Sequence, residues 1–250
     1  MSIEDNRSFL KADPAFWAGE SHSDQTKGVP MPPVEKSVPI DAALVHLPEW
    51  QACLSDKQLN LGQLIKNRKS HRKYLFTALS MEELSFLLWA TQGVREPRQT
   101  ARVWRMVPSA GNRHAFETYL SVRLVAGLAP GIYRYLPLEH ALILVDSPSR
   151  LPKRTTEAAM GQDFAGQAAV TFVWTAIPYR TEWRYSEAAA RLILLDAGHV
   201  CQNLYLAAAA IGCGTCAIAA YNQPAADQLL GVDGVDEFVV YMAPVGHIGA

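Results

Sequence analysis

Apolar positions recur at helical spacing in several parts of the chain. Residues 80–93 begin with Ser80 and carry Glu83 three positions later, which is the pattern of a capping box, and Gly93 ends the run. From residue 186 to about 211 a long helical pattern is rich in Ala and Leu. Shorter helices are predicted at 61–68, 148–160 and 224–230.

Strands are predicted where apolar and β-branched residues alternate or run together between turn residues. Five such runs are found, at 118–125, 131–136, 141–146, 168–177 and 237–245. The run at 168–177 is almost continuously apolar, as expected of a central strand covered on both faces. A further small-residue strand is expected after the turn that follows the long helix. This order of elements predicts an α+β fold in which helices flank a sheet.

The first 60 residues differ from the rest of the chain, because they are rich in Pro, Asp, Ser and Gly. This composition favours an extended N-terminal arm over 1–60 that wraps a neighbour. The remaining residues, 61–250, are long enough to bury a core as one domain.

Charge excludes several classes of function. The 250 residues carry a net charge of −1, so binding to nucleic acid or to an anionic membrane by bulk electrostatics is not expected. Only 19% of the residues are charged and 49% are hydrophobic, which favours a surface covered by a partner, and we expect a homodimer. The N-terminus lacks the pattern of a secretory signal, and the four cysteines are too few for a disulfide framework. We therefore expect a cytoplasmic protein.

An apolar stretch at 192–221 has the composition of a membrane span. Asp196, His199, Gln202 and Asn203 interrupt it, and a carboxylate at the centre of a membrane helix costs about 2.5–3.5 kcal/mol. A helix buried in protein is the better interpretation.

The basic residues are concentrated towards the N-terminal side. Every Lys and Arg lies at or before Arg191, so any anion must be bound there. One cluster comprises Lys66, Arg68, Lys69, His71, Arg72 and Lys73, with Ser70 inside it. In an extended backbone Arg68, Ser70 and Arg72 project to one side and could hold a dianionic phosphate. A solvated basic helix end explains the cluster equally well.

A second candidate is the run of small and polar residues that begins at Pro108. It consists of Pro108, Ser109, Ala110, Gly111, Asn112, Arg113 and His114. Such a run lets the backbone approach a planar ligand while its side chains offer hydrogen bonds, although the same residues also build ordinary turns.

A third pattern suggests zinc. His199 and Cys201 are followed by Cys213 and Cys216 at C-x-x-C spacing. His199 and Cys201 would lie about 200° apart around a helix, and the Glu that a zinc deaminase needs two positions after the His is absent. We predict no metal site, and keep the zinc enzyme as a minor alternative.

Several segments in order resemble the nitroreductase superfamily in its SagB-type dehydrogenase branch, which includes azoline oxidases. They are Arg68-Lys69-Ser70-His71-Arg72, Leu84 to Gly93, Pro108-Ser109-Ala110-Gly111, Gly131-Ile132-Tyr133-Arg134-Tyr135, Trp183-Arg184-Tyr185, Leu195-Asp196-Ala197-Gly198-His199 and Pro244-Val245-Gly246. The resemblance implies a mainly antiparallel sheet flanked by helices, an intertwined homodimer, and FMN as cofactor. NADH or NADPH is then a possible electron donor, and the substrate is a small molecule or a peptide.

The resemblance also implies site residues. Those matching the segments that hold the flavin phosphate, ribityl chain and ring are Arg68, Lys69, Ser70, Arg72, Pro108, Ser109, Ala110, Gly111, Asn112, Ile218, Ala219 and Ala220. Arg184 and Tyr185 match a Lys-Tyr pair proposed to move the substrate proton in azoline oxidases. Arg184 cannot act as a base because a guanidinium stays protonated, so Tyr185 is the candidate acid or base.

Two departures from the family pattern leave an alternative open. Many nitroreductases close the phosphate site with a basic residue near the C-terminus, and no Lys or Arg follows Arg191 here. Together with Arg184, this fits a flavin-binding scaffold without turnover, or a partner subunit of a peptide-modifying complex.

Overall fold

A computed structural model describes residues 2–12, 14–54, 58–95 and 103–249. Its strands form one seven-stranded sheet in the order β1-β4-β3-β2-β5-β7-β6, and every neighbouring pair is antiparallel. The strands are β1 Leu44–His46, β2 Phe116–Val122, β3 Gly131–Leu136, β4 Ala141–Asp146, β5 Val170–Ala176, β6 Cys213–Thr215 and β7 Phe238–His247.

Helices cover both faces of this sheet. They are α1 Ile3–Phe9, α2 Pro14–Ala18, α3 Leu61–Asn67, α4 Met81–Gln92, α5 Leu151–Ala158, α6 Asp163–Gln167, α7 Tyr179–Tyr185, α8 Ala189–Ala210 and α9 Gln223–Leu230. Helices α4 and α8 pack together over one face, and α5, α6 and α9 group over the other. The predicted α+β fold with a mainly antiparallel sheet is confirmed.

Successive side chains of each central strand point to opposite faces of the sheet. Phe172 in β5 belongs to the core under α4 and α8, while its neighbour Val173 belongs to the core under α5 and α9. In β7, Ala243 and Met242 divide in the same way. This period of two explains why the central strands are apolar at consecutive positions.

Helix α4 shows that the local pattern was sufficient to define an element. The Ser80 backbone N–H donates to Glu83 Oε2 at 2.9 Å, and the Glu83 N–H donates to Ser80 Oγ at 3.1 Å, which confirms the capping box. The Gly93 N–H donates to the Trp89 carbonyl at the other end. The predicted start and stop of this helix are both confirmed.

The long helix predicted at 186–211 is present as α8, and a separate helix that the sequence did not indicate precedes it. Helix α7 follows Pro178 directly and ends at Tyr185, and Ser186 then adopts a φ of +45°. A left-handed residue breaks a helix, so α8 begins only at Ala189. The stretch Tyr179–Ala210 is long and apolar enough to span a membrane by length and composition, and 44% of an 18-residue apolar window within it is buried. Within this fold, α8 buries Ile193, Val200 and Leu204 in the main core.

The described part of the N-terminal segment packs on the body of the protein. Strand β1 pairs with β4 at one edge of the sheet. Arg105 Nη2 donates to the Val34 carbonyl at 2.8 Å, and Arg134 Nη2 donates to the Ser37 carbonyl at 2.7 Å. Residues 34–37, here called the strap, are therefore fastened across the sheet by buried guanidinium groups.

Candidate functional site

The basic segment predicted from the sequence lies along the edge of the sheet. Ser70 forms a parallel bridge with Thr215 of β6, and the His71 N–H donates to the Thr215 carbonyl at 2.9 Å. Farther along, the Leu75 N–H donates to the His247 carbonyl at 2.8 Å. Backbone pairing thus fixes residues 70–75 beside β6 and the end of β7.

Tyr205, on α8, joins this basic segment to the residues that follow β6. Its hydroxyl lies 2.9 Å from Ser70 Oγ and accepts a hydrogen bond from the Ala217 N–H at 2.9 Å. Its ring lies under the guanidinium of Arg68, whose Cζ is 5.2 Å from the ring centroid. Sequence reasoning missed Tyr205, because a tyrosine in an Ala- and Leu-rich helix carries no signal of its polar partners.

These residues surround a recess of about 140 Å³. Its lining includes Arg68, Lys69, His71, Tyr205, Cys213, Gly214 and Thr215. Gly214 allows the close approach of two segments, because a Cβ there would lie 2.6 Å from the Cβ of His71. The Thr215 hydroxyl is buried and has no hydrogen-bond partner within the described residues.

The positive charges beside this recess are not neutralised by the part of the chain that the structure describes. The ion pairs found there involve none of Arg68, Lys69 and Arg72. Arg68 is half-buried, whereas Lys69 and Arg72 are exposed. Guanidinium and ammonium groups without carboxylate partners form a suitable donor set for an anion.

Arg72 does not share the aromatic partner of Arg68. The Arg72 guanidinium lies over the ring of Phe164 in α6, with 5.9 Å between Cζ and the ring centroid, rather than at Tyr205. Ile218 is buried and exchanges two backbone hydrogen bonds with Met242, while Ala219 and Ala220 are exposed. The Ala220 carbonyl accepts a hydrogen bond from Gln162 Nε2 at 2.9 Å, and neither alanine belongs to the lining of the recess.

The second predicted segment forms a tight turn against α7. Gly111 and Asn112 both have a φ of +57°, which Gly and Asn tolerate best. A Cβ at Gly111 would lie 2.6 Å from the Tyr185 hydroxyl and 2.9 Å from Cδ of Arg184. The structure therefore brings this turn together with both candidate catalytic residues.

Two polar contacts hold the turn in place. The Ala110 N–H lies 3.2 Å from each carboxylate oxygen of Asp196 on α8. Burial raises the pKa of Asp196, and hydrogen bonds from Ser109 and Ala110 offset part of that rise. Asn112 Oδ1 lies 2.7 Å from His114 Nε2, and burial lowers the pKa of His114 to about 2. The Asn112 Nδ2 is buried with no partner within the described residues.

Both groups of residues contact α8, but at different levels. The turn at 108–112 meets the helix at Asp196, and the basic segment meets it at Tyr205. Nine residues of helix separate these points by roughly 14 Å along the axis. Among the described residues of one chain, no hydrogen bond links the two groups.

A separate apolar cavity of about 680 Å³ lies between the start of α8, α7 and the start of β7. Tyr179, Ile193, Leu194 and Phe238 contribute to its lining, and none of the predicted site residues do. Leu194 and its neighbour Leu195 are each more than half exposed, so this end of α8 presents an apolar surface.

The zinc alternative gains no support from the placement of its residues. Within the described residues, one group of His, Cys, Asp and Glu ligand atoms could hold a metal ion, and it consists of Glu83, Cys213 and His247. His199 and Cys201 do not belong to that group. Asn203, on the same helix as these two residues, donates a hydrogen bond from Nδ2 to the Ala90 carbonyl at 2.8 Å.

Comparison with known proteins identifies relatives across most of the chain. The model of the nitroreductase family matches residues 65–247. A nitroreductase-family protein of Methanocaldococcus jannaschii is 30% identical over 207 residues, which cover 83% of this chain and 98% of that protein.

Solved structures share the fold. A nitroreductase-family structure from Ralstonia eutropha has a TM-score of 0.68 at 24% identity, covering 88% of this chain and 99% of its own. A chain of the Escherichia coli microcin synthetase McbBCD complex, with truncated pro-MccB17 bound, has a TM-score of 0.62 at 18% identity. It covers 100% of this chain and 98% of its own.

Proposed function

Because the chain belongs to the nitroreductase family, whose members are typically flavin-dependent, we propose that it is an FMN-dependent oxidoreductase. The observation that carries this proposal is the recess at β6, where Arg68 and Lys69 have no carboxylate partner within the described residues. The unpaired Thr215 hydroxyl lines the same recess. This donor set fits a phosphate group.

Residues around the recess would hold the cofactor. Arg68, Lys69, Ser70 and Arg72 would bind the phosphate and ribityl chain, and the backbone of Ile218, Ala219 and Ala220 would lie against the ring. When bound, FMN supplies hydride transfer at its N5 atom. The chain contributes the anion-binding charges and the position of the backbone, which Tyr205 sets by joining Ser70 to Ala217.

A second copy of the chain would complete the site. Members of this family are often dimers, and one chain alone keeps the turn at 108–112 away from the basic segment. The exposed Leu194 and Leu195 give α8 an apolar surface for such a partner. In the homodimer, Ser109, Ala110, Gly111 and Asn112 of one protomer would approach the cofactor held by the other.

Tyr185 is the residue we assign to proton transfer with the organic substrate. Its hydroxyl lies beside Gly111 in the turn, and the Arg184 guanidinium lies over its ring at 5.2 Å. Arg184 remains charged and would stabilise negative charge on the substrate rather than act as a base. NADH or NADPH would serve as electron donor.

One observation favours a second candidate within the same fold, a SagB-type subunit that acts on a peptide. The microcin synthetase chain covers the whole of this chain, whereas the Ralstonia eutropha structure covers 88%. On this proposal the chain is the flavin subunit, or a scaffold without turnover, in a peptide-modifying complex. A small-molecule substrate then gives little or no activity.

The first experiment is the visible spectrum of the purified protein, with the released cofactor identified by mass after heat denaturation. We expect flavin bands and FMN at about one per chain, and light scattering should give the mass of two chains. A colourless protein that cannot be reconstituted with FMN would overturn the proposal. Steady-state oxidation of NADH or NADPH with a nitroaromatic or quinone acceptor then separates the enzyme from the scaffold.

A further inference from the structure

Three side chains from separate elements meet at the end of the sheet. Cys213 Sγ lies 3.6 Å from His247 Nδ1, and His247 Nε2 lies 3.2 Å from Glu83 Oε2. Cys213 and His247 are directly paired in the register of β6 and β7, and Glu83 is in the first turn of α4. A thiol, an imidazole and a carboxylate therefore form one continuous chain of polar groups.

Each member of this chain is held in place. Glu83 Oε2 also accepts the Ser80 N–H at 2.9 Å, so the capping box of α4 fixes the carboxylate. His247 is fixed by β-pairing, since its carbonyl accepts the Leu75 N–H. Cys213 is 2% exposed, whereas the Glu83 and His247 side chains are 17% and 21% exposed. The geometry is that of a nucleophile, a base and a group that orients the base.

The orientation of the imidazole distinguishes this arrangement from a metal site. A metal ion requires all ligand atoms to point at one centre. His247 instead presents one ring nitrogen to the thiol and the opposite nitrogen to the carboxylate. This is the arrangement that transfers a proton from a thiol to an imidazole and stabilises the resulting cation.

Cationic side chains share the lining of the recess with Cys213. Cys213 belongs to the lining of the 140 Å³ recess. The same lining contains Arg68, Lys69 and His71 from the basic segment and Tyr205 from α8. Burial and the charge of Lys69 lower the pKa of His71, so Arg68 and Lys69 supply the positive charge. Cationic neighbours stabilise a thiolate. The recess is also the proposed phosphate site, so Cys213 is open to small reagents in the flavin-free protein and covered when FMN is bound.

We propose that Cys213, activated by His247 and Glu83, is a nucleophilic thiol that small hydroperoxides modify. The proton of the thiol moves to His247, and the thiolate sulfur attacks the terminal peroxide oxygen. A sulfur–oxygen bond forms as the oxygen–oxygen bond breaks, and the leaving alkoxide or hydroxide takes the proton from the imidazolium. Cys213 is oxidised to a sulfenic acid, and the hydroperoxide is reduced to an alcohol or water.

Two other buried cysteines provide matched controls in the same molecule. Burial raises the pKa of Cys201 to about 12, and Tyr241 is its hydrogen-bonding neighbour. The thiol of Cys216 lies 3.7 Å from the Ala217 carbonyl. Both are as buried as Cys213, and neither is hydrogen-bonded to a histidine within the described residues. A difference in reactivity among the three therefore reports the effect of His247 rather than exposure.

The test measures alkylation of each cysteine in the flavin-free full-length protein by iodoacetamide at pH 6, followed by peptide mass mapping. We expect Cys213 to react at least about tenfold faster than Cys201 and Cys216. After treatment with hydrogen peroxide, dimedone should label Cys213 first. Equal rates for the three cysteines, or no labelling of Cys213, would overturn the proposal.

Two conservative variants examine the relay itself. His247→Gln should slow alkylation of Cys213 at pH 6 about tenfold or more, and Glu83→Gln, which can still cap α4, should slow it severalfold. The rates at Cys201 and Cys216 should not change. A Cys213 rate that is unaffected by both variants would contradict the relay. One zinc per purified chain, lost in His247→Gln, would show a metal site in its place.

Discussion

Two clusters of basic residues differ in how completely the protein neutralises them. Under the strap, Arg180 Nη2 donates to Glu117 Oε1 at 2.5 Å, and Arg134 Nη1 lies 3.9 Å from Glu117 Oε2. Lys36 Nζ reaches Glu237 at 2.6 Å. Beside β6, Arg68, Lys69 and Arg72 form no ion pair within the described residues.

The difference separates structural charges from binding charges. The first of these clusters, here called the strap cluster, consists of Lys36, Arg134 and Arg180 with Glu117 and Glu237. Its guanidinium groups are buried, and a buried charge must be paired because its desolvation is costly. Those beside β6 are partly or fully exposed, so water tolerates them until a ligand arrives. The cluster beside β6 is visible in the sequence because its residues are neighbours along the chain. The cluster under the strap is not, because its residues come from distant parts of the chain, although it contains the stronger interactions.

The largest effect is expected from breaking the strap cluster. Glu117→Ala removes the carboxylate that faces Arg180 and Arg134 and that accepts the Lys36 N–H at 2.8 Å. Leaving buried guanidinium groups unpaired should lower the free energy of unfolding by about 3–5 kcal/mol. Urea denaturation followed by circular dichroism measures the change.

A surface pair supplies the control for that experiment. Glu157 lies 3.6 Å from Lys153, and both side chains are more than half exposed. Glu157→Ala should change the free energy of unfolding by less than about 1 kcal/mol. If Glu117→Ala costs no more than this control, the strap cluster is not structural and the contrast between the two clusters is lost.

An intermediate effect is expected from the open cluster, and on binding rather than on stability. Arg68→Ala and Arg72→Ala should each weaken FMN retention by about 10- to 150-fold, because each removes a charge-assisted contact worth about 1.5–3 kcal/mol. The free energy of unfolding of the flavin-free protein should change by about 1 kcal/mol or less, since within the described residues each arginine side chain loses a contact with an aromatic ring and no ion pair. Fluorescence titration with FMN measures the affinity.

Arg154→Ala is the matched control for charge, because Arg154 is a cation in α5 that belongs neither to the basic segment nor to the recess lining. It should leave FMN affinity unchanged. Flavin occupancy that stays normal in both Arg68→Ala and Arg72→Ala would contradict the phosphate assignment.

The smallest effect concerns Glu35, at the border of the strap cluster. Burial raises the pKa of Glu35 from its ordinary 4.5 to about 7, with Glu139 and Glu117 adding to the rise, while the Leu138 N–H and Arg105 oppose it. A raised carboxyl pKa stabilises the fold below pH 4.5, and this contribution is lost as the pH rises to about 7.

Glu35→Gln should therefore remove a decline in unfolding free energy between pH 4.5 and 7. The decline is on the order of 1 kcal/mol, since the half-buried carboxyl is partly screened by water. Thermal denaturation at a series of pH values measures it, with the exposed Glu157→Gln as control. If Glu35→Gln has the same pH dependence as the unmodified protein, the raised pKa of Glu35 does not contribute to the pH dependence of stability.

Elements with a complete local signal were determined by the sequence. Ser80, Glu83 and Gly93 define α4 because capping depends on residues within one turn, and the apolar run around Phe172 defines β5 because a central strand is buried on both faces. Strand β2 begins two residues before its predicted start and ends at Val122, since the Arg123 and Leu124 N–H groups turn to the Ala169 carbonyl. Helix α7 was not predicted, although α3, of the same length, was.

Only the tertiary structure decided which distant residues meet. Tyr205 joins Ser70 to Ala217, Gly111 lies against Tyr185, and Cys213 lies beside His247. Local pattern could identify the basic segment and the turn at 108–112 as unusual, since their composition is visible along the chain. It could not identify these partners, because hydrogen bonds between residues far apart in sequence depend on strand register and helix packing, which are properties of the whole fold.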